Sequence, residues 1–180
     1  MIEKPEKLKI ALIGGTVIGV VSGIPGLSLV NCCCCAGIWL GGMLTMYLYV
    51  QQYTDEMQPL ESSDALLLGL MSGLIGAVIA TGIGVMIQVL FGPLQEQIVK
   101  PFMENIINRM SESGGMPSEA LDQMRDEFDR SFRDSQTISG VIGGLFIALI
   151  VYPIFSIIGA LIGYGLFRPK QKPQEPLPQV

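Results

Sequence analysis

Four stretches of this chain carry no charged side chain and approach the length of a lipid bilayer: Ile10 to Leu29, Cys33 to Tyr53, Ala65 to Phe91 and Ile138 to Phe167. A helix needs about 20 apolar residues to cross a hydrocarbon core ~30 Å thick. Only helices and closed barrels satisfy their backbone polar groups inside lipid, and runs this long and this uniformly apolar suit helices. Composition agrees, because 49% of the residues are hydrophobic and 15% are charged, against about 25% charged in a soluble domain. The sequence therefore predicts an all-α integral membrane protein with four transmembrane helices in two hairpins and an amphipathic helical insertion between helices 3 and 4.

The segments follow from composition. Residues 1–9 form a polar tail, 10–53 the first transmembrane hairpin, 54–64 an acidic loop, 65–167 helices 3 and 4 with the insertion at 93–135, and 168–180 a disordered Pro-rich tail. The turn of the first hairpin is placed near Asn31, with Pro25 as a kink, because a span ending at Ile24 would be short. Gly92-Pro93 is expected to stop the third span, since proline removes a donor and clashes with the preceding turn. In the insertion, Leu94, Ile98, Phe102, Ile106 and Met110 recur at helical spacing. Leu121, Met124, Phe128 and Phe132 do the same after Pro117-Ser118. Between Glu96 and Asp134 five basic and nine acidic residues give −4, a poor match to anionic lipid, so this segment is expected to fold back as a cap over its own bundle.

Lys4, Lys7 and Lys9 ahead of an apolar run look like the start of a signal peptide, but the run exceeds the usual h-region of about 7–15 residues and a second run follows. A lipoprotein site at Cys32 would want a small residue where Asn31 stands. Both termini are expected to be cytoplasmic, in a prokaryotic inner membrane, because four spans put them on one side. Six basic residues flank the ends (Lys4, Lys7, Lys9, Arg168, Lys170, Lys172), against five in the insertion.

Small residues mark the helix contacts. In lipid there is little hydrophobic drive between helices, so they associate where small side chains let backbones approach. Gly15, Gly19 and Gly23 fall four apart on the first span, and Gly37 and Gly41 do so on the second. Gly73 and Gly76 belong to two files on the third, and Gly140/Gly144 and Gly159/Gly163 form pairs on the fourth. Gly14 also aligns with Ser72, and with it Gly19 with Ala77 and Gly26 with Gly84, a faint internal repeat that would pair the first and third spans. Ile18 and Ile75 then flank the glycine files and should accept leucine.

Cys32, Cys33, Cys34 and Cys35 are contiguous, which suits small apolar packing at a close contact. Lipidation or a redox role and a metal site completed by a second subunit are the alternatives. Structural metal sites usually space their cysteines by about two to four residues so that several thiolates converge, so no metal or other cofactor is expected.

Several functions are disfavoured by what the spans lack. There is no histidine, the commonest general base and metal ligand, and no nucleophile has an adjacent base, so no enzyme is expected. A net charge of −5 argues against nucleic acid as a partner. Ion pathways and proton relays are marked by intramembrane charge, whereas the polar candidates here are Asn31, Thr45, Thr81 and Gln88. The expected role is a non-enzymatic structural or partner-interaction protein in the lipid bilayer, as a homo-oligomer or with a membrane-protein partner. A small-molecule or ion channel or transporter is the alternative. The arrangement resembles small polytopic membrane proteins of prokaryotes without established activity, a resemblance of general architecture that transfers no functional residue.

Overall fold

A computed structural model describes residues 5–24, 27–32, 35–54, 57, 59–112, 117–135 and 137–168. Its regular elements there are all helical: α1 (Lys7–Gly23), a 3-10 turn (Leu27–Cys32), α2 (Ala36–Gln51), α3 (Ser62–Glu112), α4 (Ser118–Ser135) and α5 (Ile138–Phe167). The acidic residues 55 and 56, Pro25 and the Pro-rich tail from 169 lie outside the described residues.

Four of these helices form a bundle. Gly14 lies against Thr45 and Gly41 against Ile18, so α1 and α2 run antiparallel. Gly69 lies against Ile157 and Gly73 against Pro153, so α3 and α5 do the same. The two hairpins lie side by side with α1 parallel to α3 and α2 parallel to α5: Gly15, Gly19 and Gly23 meet Ile75, Ile79 and Ile83 in order, Trp39 stacks on Phe155, and Tyr47 meets Phe167 edge to face. At one end, Lys7 pairs with Asp64 at 2.7 Å and the Tyr164 hydroxyl donates to the Leu60 carbonyl at 3.3 Å. The start of α1 and the end of α5 therefore share that end, which we call the base. Ile10, Ala11, Met46, Tyr49, Leu68 and Ala160 form a buried cluster just inside it.

Among the described residues two helices, rather than the four expected, are long and apolar enough to cross a membrane: Ser62–Gly92, with 31 residues, and Ile138–Phe167, with 30. Their most apolar windows are only 17% and 22% buried, the reverse of a core helix in a soluble protein. Helices α1 and α2 have 17 and 16 residues, about 24–26 Å at 1.5 Å per residue. The chain between them is spent on a turn. The residue before a proline is pushed out of the helical region, and Ile24, before Pro25, is extended at φ −87, ψ 123. Helix α2 restarts only after Cys35, which sits in the left-handed region at φ 60, ψ 33.

Three further expectations are corrected. Helix α3 does not stop at Gly92-Pro93; it continues through both Pro93 and Pro101 to Glu112, 51 residues or about 76 Å. A glycine before proline lacks the Cβ that the ring crowds most, and the apolar register is helical on both sides, so one lost backbone bond is offset. Asp64 belongs to the first turn of α3 and not to a loop: its Oδ2 accepts from the Glu61 N–H at 3.0 Å, satisfying a backbone donor at the helix start. Nor does the insertion cap the bundle. Among the described residues helix α4 contacts α3 and α5 but neither α1 nor α2. It turns back along the end of α3, burying Leu121 and Ile107 and donating from Arg125 to Asn108 at 2.9 Å. The apolar stripe read for a cap is only partly buried in this two-helix arm, where Phe102 stays 59% exposed, and the arm extends from the end opposite the base. The fourth helix matches its expected bounds at Ile138–Phe167. Its start is fixed by Thr137, whose hydroxyl accepts from the Gly140 N–H at 3.0 Å.

Candidate functional site

The seams between these helices are the candidate site, and each is built on residues too small to keep backbones apart. On the α1–α3 seam a methyl group added to Gly15 would stand 2.9 Å from the Ser72 carbonyl oxygen and 2.7 Å from Ile75 Cβ. At Gly19 it would meet Ile79 at 2.5 Å, and at Gly23 it would meet Ile83 at 2.8 Å. Gly76 answers from α3, against Ile18 at 2.6 Å. Between α3 and α5, a methyl at Gly73 would lie 2.5 Å from the Pro153 Cα. Between α2 and α5, Gly42 lies against the Ser156 backbone and Gly159 against the Trp39 backbone. Gly37 faces Asn31 and Val21 at the top of the α1–α2 seam.

Two sequence readings change here. Gly140 and Gly144 take no part in a helix seam: Gly140 sits against its own cap, on the Asp134 carbonyl and Thr137, and nothing stands within 4 Å of a methyl at Gly144. Ile18 is not a flank of the glycine files. It is fully buried and is the knob on which Gly41 and Gly76 close from two helices. Gly42, Gly159 and Ser156 complete a seam that spacing had not singled out as one. The only signal was small residues at three- and four-residue intervals, which recur all along α5.

Three small polar side chains sit inside the bundle beside its buried aliphatic residues. Ser72 and Ser156 share a hydrogen bond of 2.9 Å between α3 and α5, both fully buried. Thr45 is buried as well and donates to the Gly41 carbonyl at 2.8 Å within its own helix. The remaining polar residues do not gather around them. Thr81 bonds back to the Ala77 carbonyl, nine residues or about 14 Å along α3 from Ser72. Asn31 donates to Ser22 in the turn, and Gln88 lies beyond the end of α1. At the base, Asp64 is 1% exposed while its partner Lys7 keeps a quarter of its side chain in contact with solvent. The Tyr49 hydroxyl is buried without a hydrogen-bond partner among the described residues. No sequence pattern announced this pair, because its members are 57 positions apart and only the parallel packing of α1 on α3 joins them.

Of the cysteines, Cys32 ends the 3-10 turn, Cys33 and Cys34 lie outside the described residues, and Cys35 is a free, half-buried thiol. Among the described residues no cluster of three His, Cys, Asp or Glu could hold a metal. Cys35 is the one described non-glycine residue with positive φ, a conformation that costs an L-residue about 1–2 kcal/mol. Cys35→Gly is therefore expected to leave the melting temperature in detergent unchanged or raise it. Cys35→Val, β-branched in the same conformation, should lower it, and the reverse order would show that the thiol itself holds the turn.

Comparison with protein-family models, with curated proteins and with solved structures finds no match to this chain.

Proposed function

We propose that this chain is a multi-pass membrane protein in which all four bundle helices cross the bilayer together. Its role is non-enzymatic: a structural or partner-interaction element of the membrane. The observation that carries this reading is the breadth of apolar surface that the bundle turns outward. Leu12, Ile13, Leu40, Val78, Ile147 and Ile154 are exposed, while Ser72, Ser156 and Thr45 are fully buried beside Ile18, Met46 and Leu68. Water would select the opposite arrangement, whereas lipid is indifferent to outward leucine and rewards close backbone contact inside. Although α1 and α2 are short, they run alongside spans that are long enough, and local thinning or headgroup contact covers a few Å of mismatch.

The tightness of the seams favours scaffold over conduit. Glycine contacts close the α1–α3, α3–α5 and α2–α5 interfaces at backbone distance, and the buried Ser72, Ser156 and Thr45 hydroxyls are spent on one another or on their own helices, which supports a bundle that holds its shape. We place both termini in the cytoplasm of a prokaryotic inner membrane, the base carrying Lys7, Lys9 and Arg168 beside Tyr47, Tyr53 and Tyr164, an interfacial belt with cationic flanks.

Carbonate at high pH should leave the protein in the membrane pellet and detergent should release it; recovery in the carbonate supernatant would refute the membrane reading. Co-purification from gently solubilised membranes then separates the functional classes. Stoichiometric partners or self-association support the interaction role, whereas solute flux through the purified protein in liposomes would replace it with a channel.

A further inference from the structure

The two-helix arm carries a slot of its own. Between α3 and α4 lies a cavity of about 80 Å³ lined by Met103, Glu104, Ile107, Arg125, Phe128 and Asp129. The antiparallel pairing of the two helices, with Arg125 on Asn108 and with Ile107 and Leu121 buried, brings these residues together. Its floor is apolar: Ile107 is 1% exposed, and Met103 and Phe128 are half-buried. Its rim is acidic. Glu104 stands on α3 and Asp129 on α4, both exposed, and neither carboxylate is taken by an ion pair or hydrogen bond among the described residues. Arg125, the cation lining the slot, is already held by Asn108 at 2.9 Å and by Asp122 at 3.5 Å.

The size and chemistry of the slot narrow what fits it. Small-molecule sites run to about 300–1,000 Å³, so this one takes the end of a single side chain. An apolar floor between two carboxylates suits an aliphatic stem with a cationic head, which is the chemistry of lysine and arginine. Lipid does not reach it. Glu104 lies 40 positions beyond Asp64 on α3, about 60 Å along the helix. At a tilt of about 40°, the upper end of the usual range, that is still about 46 Å along the membrane normal, outside a bilayer of about 40–45 Å with its headgroups. Nor do the chain's own first lysines fill it, because Lys7 and Lys9 are paired with Asp64 and Glu6 at the base, the opposite end of the molecule.

We infer that this slot receives a lysine or arginine side chain from a basic segment of a partner protein, on the side of the membrane opposite the base. The stem of that residue lies on Met103, Ile107 and Phe128, and its head sits between Glu104 and Asp129. The charge of −4 between Glu96 and Asp134 draws such a segment to the arm before contact, as complementary fields do. Charge complementarity thus selects the partner, and the apolar floor selects a long side chain over a bare cation. The inference rests on the partner-interaction reading and names the class of partner.

A labelled amphipathic peptide of leucine and lysine is the probe, titrated by fluorescence anisotropy into the whole chain in nanodiscs of zwitterionic lipid, with empty nanodiscs as the blank. It should bind, and more weakly as salt rises. Glu104→Gln with Asp129→Asn should lower its affinity about tenfold. Asp126→Asn with Glu127→Gln removes the same charge from α4 away from the slot, and should change affinity by less than about twofold, because remote exposed charges are screened. Replacing the peptide's lysines by diaminopropionate keeps the charge and removes the stem, and should weaken binding as well. These four residues are exposed, so an unchanged melting temperature verifies that both double variants fold. Equal losses from the two double variants, equal binding of the short-stemmed peptide, or no binding of the lysine peptide overturns the slot. None of those results touches the membrane reading, which fails only if carbonate releases the chain.

Discussion

Leucine at Gly42 or Gly73 is expected to abolish the folded bundle, whereas leucine at Gly82 or Gly165 should leave it intact. A methyl on Gly73 would stand 2.5 Å from the Cα of Pro153, and one on Gly42 would press on the Ser156 carbonyl, with the Ser156 Cα at 3.0 Å. Those neighbours are backbone, which cannot rotate away as a side chain does, so α5 would have to move off α2 or α3 along its length. Overpacking in a compliant core costs about 1–3 kcal/mol; here the loss should reach about 3 kcal/mol or more, since the whole seam opens and the Ser72–Ser156 bond is lost with it. Gly82 and Gly165 have open space at the same point, and both face outward. Size-exclusion profile and thermal stability in detergent distinguish the two pairs. Equal behaviour of all four variants would mean that close backbone approach does not hold the bundle together. Ile18→Leu should destabilise the bundle without abolishing it, because the γ-branched side chain fits less well between Gly41 and Gly76. Its cost is that of a shape change, below about 1.5 kcal/mol.

Removing Lys7 should have the second largest effect. Asp64 is all but fully buried and its Oδ1 lies 2.7 Å from the Lys7 ammonium. Breaking a fully buried pair by deleting one partner costs about 3–5 kcal/mol, because the other charge is left uncompensated. Lys7 is 28% exposed, and Asp64 keeps both the Glu61 N–H and the positive end of α3, so Lys7→Met should fall toward the lower end of that range. Lys7→Met combined with Asp64→Asn should lose less than the sum of the single variants, since each removes the other's reason to be charged, and Lys7→Arg should retain most of the stability. A double-mutant cycle on the melting temperature measures the coupling, and additive losses would show that the pair is a bystander.

The hairpins were legible in the residues because lipid imposes a one-dimensional rule: an uncharged run near 20 residues has few options other than a helix. That rule located Ile138–Phe167 and the apolar part of α3, while the start of α4 at Pro117-Ser118 was legible from the tolerance of proline at the beginning of a helix. It failed where local backbone chemistry competes with hydropathy. Leu27, Leu29 and Val30 are as apolar as any span residue, yet Pro25 and the left-handed Cys35 take that segment out of the helix, leaving α1 and α2 short. It failed in the opposite sense at Gly92-Pro93, where a punctuating pair was carried through by the helix on either side.

Which small residues meet lay beyond reach of the sequence, because glycines four apart occur on all four long helices and spacing gives a face without saying what lies opposite. Packing α1 parallel to α3 joined Gly15 to Ser72, turned Ile18 from a flank into a knob, brought Lys7 to Asp64, and left Gly84 and Gly144 open. The sequence alone determined that the chain is helical and suited to lipid, properties that follow from residues summed along the chain. Only the tertiary structure decided the partners, because a contact between residues 57 or 84 positions apart depends on the direction and height at which two helices dock, and no periodicity within either helix contains that information.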